Sequence, residues 1–480
     1  MSQTPDTARS SPTYPETSRW LVPLLAAAVF FSVLNTTMIN VALPTIRDVF
    51  DVSEAESGRL ATLYSLFFGI MTPFYGRLGD RYGLRRMYIT GMLIFGASSL
   101  LASIVPTNLF SLLVVLRVGQ GIGSAAIPPL GTALIMRRIP SARRGASIGL
   151  IAASVGAGQA IGPSMGGALT EFVSWRAVFL VSAVIMILIP FQFKMFPGKT
   201  NDEPAPVDWL GGLALAGTIA GTLISVDGIQ RNGIDSTLVL VGVPLALIAL
   251  LTTIFRQRNQ RFPFIDRELM ANRRFVLYSM TAFTMMSAGV SALILLPFML
   301  EDVNGLPTSQ VGLVLLTQAA VVTFLSRPVG SLADRYDAVV LSTIGLSIVL
   351  GVIVVLATVA VGWPVWALVP VLLVFGVGQA STFSPLQTTV TRVVPRRLAG
   401  TGIGLYNMMF FVGASFGAAV STGLLSARMG KPALLPWYQG PEEYSQFGDA
   451  FLYGMSAAIV GIILLQFARR APNVMEEEEQ

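Results

Sequence analysis

Long apolar runs alternate with short polar stretches along the whole chain, and each run, of about 18 to 25 residues, is long enough to cross a hydrocarbon core as a helix. About fourteen can be placed, at 20–46, 57–78, 87–105, 109–136, 145–169, 175–196, 209–226, 237–255, 275–300, 310–332, 339–361, 364–390, 400–426 and 451–467. The pattern predicts an all-α polytopic membrane protein.

The polar stretches between the runs repeat. Gly76-Arg77-Leu78-Gly79-Asp80-Arg81-Tyr82 returns about 254 residues later as Gly330-Ser331-Leu332-Ala333-Asp334-Arg335-Tyr336, each time at the end of an apolar run. Pro140, Gly145, Gly149, Gly158 and Gly162 are answered at nearly the same offset by Pro395, Gly400, Gly404, Gly413 and Gly417. One membrane unit is therefore present twice, which predicts two six-helix bundles that rock around a central site. The bundles are expected at 20–200 and 261–470. Two runs between them have no counterpart in the repeat and predict an inserted transmembrane hairpin at 201–260. Pro197, Gly198, Pro204 and Pro206, before the first of these runs, mark a linker. Residues 1–19 and the acidic 471–480 are expected to be cytoplasmic tails.

Composition agrees. Of 480 residues, 53% are hydrophobic and only 12% charged, too few charges to cover a water-soluble globule of this length. An even number of spans with both ends on one side requires Lys and Arg to crowd the inner loops, and roughly 25 basic residues do so against about 6 in the outer loops. The net charge of +6 thus follows from topology, and a nucleic-acid partner is not expected. The chain has no Cys and no His, so thiolate chemistry, Cys/His metal sites and histidine switching are excluded; no metal or cofactor is expected. Gly198-Lys199-Thr200 resembles the end of a phosphate-binding loop, but Phe193 stands where the first glycine is required, so no ATP motor is encoded. Arginine far outnumbers lysine, which suggests a GC-rich bacterial genome.

Three motifs, in order, carry a family resemblance. Gly76-x-Leu78-x-Asp80-Arg81-x-Gly83-x-Arg85-Arg86 resembles the loop signature of the major facilitator superfamily. Leu116-Arg117-x-x-Gln120-Gly121-x-Gly123 resembles its arginine signature. Gly158-x-x-x-Gly162-Pro163-x-x-Gly166-Gly167 resembles the signature of its antiporter branch. With fourteen helices the chain is similar to the 14-helix drug:proton antiporter group. Phe31-Ser32-Val33-Leu34-Asn35 followed by Asn40-Val41-x-Leu43-Pro44 is similar to its tetracycline-efflux subgroup. The resemblance implies a charge latch between the bundles at Gly76, Asp80, Arg81, Gly83, Arg85 and Arg86, with Asp334 and Arg335 as a partial twin. It also implies a role for Arg117 in proton coupling or substrate contact.

Arg117 is the one basic residue placed deep in a span, where insertion costs roughly 2.5 to 3.5 kcal/mol. Its repeat position, near Leu372, is apolar, so the shared scaffold does not demand it. Gly158, Gly162 and Gly166 share a helix face that lets a neighbour approach closely. Pro163 permits a bend there, and the repeat has Ala418 instead. Where the family's first helix commonly carries an acid, this chain reads Leu34-Asn35-Thr36-Thr37. Glu171, Asp227, Glu301 and Asp302 are read as rim charges near outer helix ends. The substrate cavity is expected to draw on Asn35, Asn40, Gln120, Gln159, Gln318, Gln379, Gln387, Tyr406 and Asn407, walled by Met285, Met286, Phe410 and Phe411.

These features point to a secondary active exporter of amphipathic small molecules, proton-coupled and working by alternating access. It is expected to be a monomer in the lipid bilayer of a bacterial inner membrane, with both termini cytoplasmic. The alternative is a lipid or lipid-precursor transporter on the same fold. A membrane-embedded enzyme would need clustered Asp, His or Cys at bilayer depth, and a sensor would need a soluble domain; the sequence has neither.

Overall fold

The computed structural model describes residues 20–195, 208–232 and 236–471. The tails, the linker at 196–207 with its Gly198-Lys199-Thr200, and the tip of the hairpin lie outside the described residues. Among those described there is no strand. The first bundle comprises α1 (Leu21–Phe50), α2 (Glu54–Tyr82), α3 (Leu84–Ser103), α4 (Phe110–Ser124), α5 (Ile127–Arg138), α6 (Ser141–Phe172), α7 (Trp175–Ala183) and α8 (Ile185–Met195). The inserted hairpin is α9 (Trp209–Asn232) and α10 (Thr237–Asn259). After the short α11 (Arg267–Ala271), the second bundle comprises α12 (Arg273–Asp302), α13 (Thr308–Arg335), α14 (Ala338–Thr358), α15 (Val365–Val393), α16 (Ala399–Arg428) and α17 (Ser445–Arg470).

Helix boundaries follow local chemistry. Ser53 and Glu56 form a reciprocal capping box at the start of α2. Gly83, at φ +100°, makes the tight break between α2 and α3 that a side chain would strain. The break between α4 and α5 falls just before Pro128 and Pro129, neither of which has an N–H to give to the ladder. Taken as continuous, α4–α5 and α7–α8 each make one span. Twelve described segments are then long and apolar enough to cross a membrane. With α2 and α3, which are 29 and 20 residues long but more polar, there are fourteen long helical segments, as the apolar runs predict.

Within each bundle the packing repeats. α1 lies on α6 as α12 lies on α16, and α3 lies on α4 as α14 lies on α15. The bundles meet along two flanks, α6 against α13 and α2 against α16. In the hairpin, Gly221 sits so close to Ala246 N and Gly242 O that a Cβ could not be accommodated, and Gly242 sits likewise on Ser225. On the far side of α10, Leu240, Ile248 and Leu251 are exposed, as suits a face turned to lipid tails. α9 touches both α2 and α16.

Candidate functional site

At the arginine-rich end the two bundles are tied twice. The Asp80 carboxylate, only 8% exposed, accepts hydrogen bonds from Gly400 N (2.9 Å) and Thr401 N (2.6 Å) at the start of α16. Asp334 accepts from Gly145 N (2.6 Å) and Ala146 N (3.0 Å) near the start of α6. Each carboxylate thus meets free or near-terminal N–H groups at the positive end of a helix in the opposite bundle. Glycine makes the approach possible. A Cβ on Gly76 would collide with Gly400 O, and one on Gly145 with Gly330 O. Arg137 adds a third strand to the first tie, donating to Asp80 Oδ1 (2.9 Å), Arg396 O (2.9 Å) and Arg397 O (3.1 Å). The other motif cations lie around the turn. Arg81 stacks on Tyr82, and Arg85 donates to Phe193 O at 2.7 Å, while Arg86 and Arg335 are exposed.

Arg117 is wholly buried inside the first bundle. It donates from Nη1 to Asn35 Oδ1 (2.8 Å) and Gln120 Oε1 (2.6 Å) and from Nε to Leu60 O (3.1 Å), and it stacks on the Tyr64 ring at 4.4 Å. A second layer orients these acceptors: Asn35 Nδ2 donates to Ser182 Oγ (2.8 Å) and Gln120 Nε2 to Ser99 Oγ (2.6 Å). The cation is thus held by neutral amide oxygens, a carbonyl and a ring face.

Between the bundles lies a cavity of about 380 Å³, within the range of small-molecule sites. The first bundle lines it with Ser32, Thr36, Tyr64, Phe68, Thr132 and Gln159. The second contributes Met285, Met286, Gln379, Gln387, Asn407 and Phe411. Among the described residues its wall carries no Asp, Glu, Lys or Arg. Phe68 meets Phe411 edge-on across the bundles at 4.6 Å, and Phe383 and Phe410 extend the aromatic surface. Amides supply the polar points. Gln387 Nε2 donates to Thr132 Oγ1 at 3.2 Å, while its buried Oε1 has no partner among the described residues. Gln379 Oε1 accepts from Gln318 Nε2 at 2.6 Å.

Of the residues expected at the cavity, Gln159, Gln379, Gln387, Asn407, Phe410, Phe411, Met285 and Met286 line it. Five do not. Asn35 and Gln120 are turned behind the wall by the pull of Arg117. Gln318 stands behind Gln379, Tyr406 is wholly buried, and Asn40 is exposed. Glu171 and Asp302 are exposed, and Glu301 is half-buried at the end of α12; none of the three reaches the cavity, and the side chain of Asp227 lies outside the described residues. The glycines of α6 serve close packing on α1: Gly158 lies against Val33, Gly162 against Thr37 and Gly166 against the Met38 backbone, whereas Gly167 makes only ordinary contact and Pro163 is exposed. Gly413 and Gly417 do the same on Phe283 and Ser287 of α12. Thr132, Arg137, Tyr64, Phe68 and Leu223 were not legible as site residues. For two of them the signal was the repeat offset, which pairs Thr132 with Gln387 and Arg137 with Arg392.

Known proteins resemble this chain in sequence and in fold. The chain is 27% identical over 404 residues to the riboflavin transporter RibZ of Clostridioides difficile, covering 83% of this chain and 87% of that one. It is 27% identical over 461 residues to the lincomycin resistance protein LmrB of Listeria innocua, covering 94% and 97%. The crystal structure of the human organic anion transporter MFSD10 superimposes with a TM-score of 0.65 at 15% identity, over 94% of this chain and all of that one, and so shares the fold. Residues 25–418 match the model of one family along the two bundles just described, and the chain belongs to the Major Facilitator Superfamily.

Proposed function

We propose that this multi-pass membrane transporter is a secondary active exporter that moves amphipathic molecules by alternating access through the central cavity. The observation that carries the reading is the cavity itself. It lies between two repeat-related bundles tied together at one end, and its wall is aromatic, amide-bearing and, among the described residues, free of ionised side chains. Such a wall offers no counter-charge to a dication and suits neutral, zwitterionic or anionic compounds. Asp80 and Asp334 act as the latch of the closed end, with Gly76 and Gly145 as the close-contact points and Arg137 reinforcing the first tie. Export is driven by inward proton movement, worth about 2.3 kcal/mol per charge per 100 mV of membrane potential. Since the described wall residues include no carboxylate and the chain has no histidine, proton and substrate do not compete for one group there. Arg117 supports coupling as the fixed buried charge of the first bundle. The protein works as a monomer in a bacterial inner membrane with both termini cytoplasmic, divided at 20–200, 201–260 and 261–470.

A lipid or lipid-precursor substrate is the second reading, favoured by the apolar share of the wall at Phe68, Phe383, Phe410, Phe411, Met285 and Met286. The deciding experiment uses inside-out vesicles with an acidified lumen, in which riboflavin, lincomycin, tetracycline or a lipid precursor is added while a pH-sensitive dye reports lumenal protons. Substrate-evoked proton release, absent in Arg117→Ala protein that is folded and still stabilised by the ligand, is the expected result. Ligand-dependent stabilisation with no proton release from any probe would overturn antiport.

A further inference from the structure

The two flanks of the inter-bundle interface are closed differently. On one, α6 and α13 are in backbone contact over several turns: Gly145 meets Gly330, Gly149 meets Ser326 and Arg327, and Gly156 meets Thr323. On the other, α2 and α16 are in backbone contact where Gly76 meets Gly400 and Gly404 meets Thr72. About a turn further along α2 the separation is already wide enough for two rings, Phe68 and Phe411, to meet edge-on. There Gly69 faces α9, with Leu223 Cδ1 3.3 Å and Ile219 Cγ2 3.5 Å from where its Cβ would be. Further along the seam, Gly423 of α16 faces Ile229 of α9 at 3.4 Å.

α9 is shaped for this position. Its glycines at 221 and 228 are taken up by α10, which leaves the larger residues of another face to fill the seam. Leu215, Ile219 and Val226 are buried, while Leu223 is only half-buried because part of it lies on the cavity wall. Leu213, on the same helix, is 62% exposed. Among the described residues, Leu223 is the hairpin's contribution to a wall otherwise built by the two bundles.

We propose that α9 of the inserted hairpin forms the wall of the substrate cavity along the α2–α16 seam, with Leu223 setting the cavity's width there and shutting it from the bilayer. The proposal rests on the central cavity being the substrate site. The hairpin is then part of the specificity apparatus, and a transporter on this scaffold without it would leave that seam open to lipid.

The absence of cysteine makes the test direct, since each introduced thiol is the only one in the chain. Full-length Leu223→Cys, Ile219→Cys, Leu213→Cys and Phe411→Cys proteins, reconstituted in liposomes, are reacted with a water-soluble maleimide, whose rate follows access to water. Leu223→Cys is expected to react within about threefold of Phe411→Cys and at least about tenfold faster than Ile219→Cys and Leu213→Cys. Slow reaction of Leu223→Cys beside fast reaction of Phe411→Cys would overturn the hairpin wall while leaving the cavity reading intact. Slow reaction of both would overturn the two together. Should Leu223→Cys fold poorly, Leu223→Trp supplies an independent readout: it must slow the labelling of Phe411→Cys when the two are combined, and unchanged labelling would count against the proposal.

Discussion

Asn35 Oδ1 accepts a hydrogen bond from Arg117 Nη1 at 2.8 Å, so the first helix meets the buried cation with a neutral amide. The buried cation is therefore solvated by amides, with Gln120 and the Leu60 carbonyl completing the set. A guanidinium suits this role because its donors are planar and fixed in direction.

Removing the cation should strand those acceptors. Arg117→Met is expected to destabilise the protein by about 1–3 kcal/mol, because Asn35 Oδ1 and Gln120 Oε1 lose their donor in a buried place. Adding Asn35→Leu should restore part of that loss, since replacing both partners by apolar groups removes the unsatisfied atom. Thermal unfolding of the four purified proteins completes the cycle. Strictly additive losses would show that the two side chains are not coupled.

The two ties should hold the closed end together in concert. Asp80→Asn and Asp334→Asn each remove charge from a pair of backbone hydrogen bonds worth about 1.5–3 kcal/mol, and each should shift the closed-to-open ratio by roughly ten- to a hundredfold. The double variant should shift it further than either. A thiol at Gln387→Cys, probed with a maleimide from the Asp80 side, reads the population. An unchanged labelling rate in the double variant would refute the latch.

Glycine at the crossings is expected to be irreplaceable for closure, whereas glycine at the turn is not. Gly145→Val places side-chain carbon against the Gly330 carbonyl and should leave the Asp80 end labelled rapidly at all times. Gly83→Ala has open space around it and a positive φ, so it should cost about 1–3 kcal/mol of stability through backbone strain without altering that labelling. Closure in Gly145→Val as complete as in the wild type would contradict the geometry.

Binding of an uncharged ligand should be nearly independent of pH. The described wall residues include no Asp or Glu and the chain has no His or Cys, so the dissociation constant of riboflavin, if it binds, should stay within about twofold between about pH 6 and 8 while transport rate follows the proton gradient. A tenfold change in affinity measured by equilibrium fluorescence would place a titrating group in contact with the ligand.

The base of the hairpin offers a pH test with a definite sign. Burial pushes the Asp208 carboxyl up, but hydrogen bonds from Arg256 and from Gly211 N outweigh it and leave the group below its ordinary value of 3.8. A carboxylate depressed in the folded state contributes stability above its unfolded value and loses it as pH falls through the folded value. Asp208→Asn should therefore unfold earlier than wild type at neutral pH, with the gap closing below about pH 4. A gap that stays constant down to the lowest pH measured would rule out the ion pair as its source.

Much of the architecture was legible because the repeat keeps register. The offset pairs Asp80 with Asp334 and Gly145 with Gly400, and it identifies the hairpin as the segment with no counterpart. Side-chain direction was not legible. Asn35 and Gln120 look like cavity amides in a helix sequence, and only the position of the Arg117 guanidinium shows that they turn away from the cavity. Leu223 is one leucine in an apolar helix, and nothing local distinguishes it from Leu213. Its role depends on where α9 docks, which the wide seam between α2 and α16 decides.

The two ties make one contact twice: the first half's acid reaches a helix start in the second half, and the second half's acid returns the gesture. Such a surface is self-complementary, as in a two-fold homodimer, so two identical copies of a half-length chain could form it unaided. What joining the halves adds is freedom to diverge. Two identical copies could not keep Arg117 in one half while the counterpart position holds Leu372, nor set Thr132 against Gln387 instead of a copy of itself; the fused chain does both.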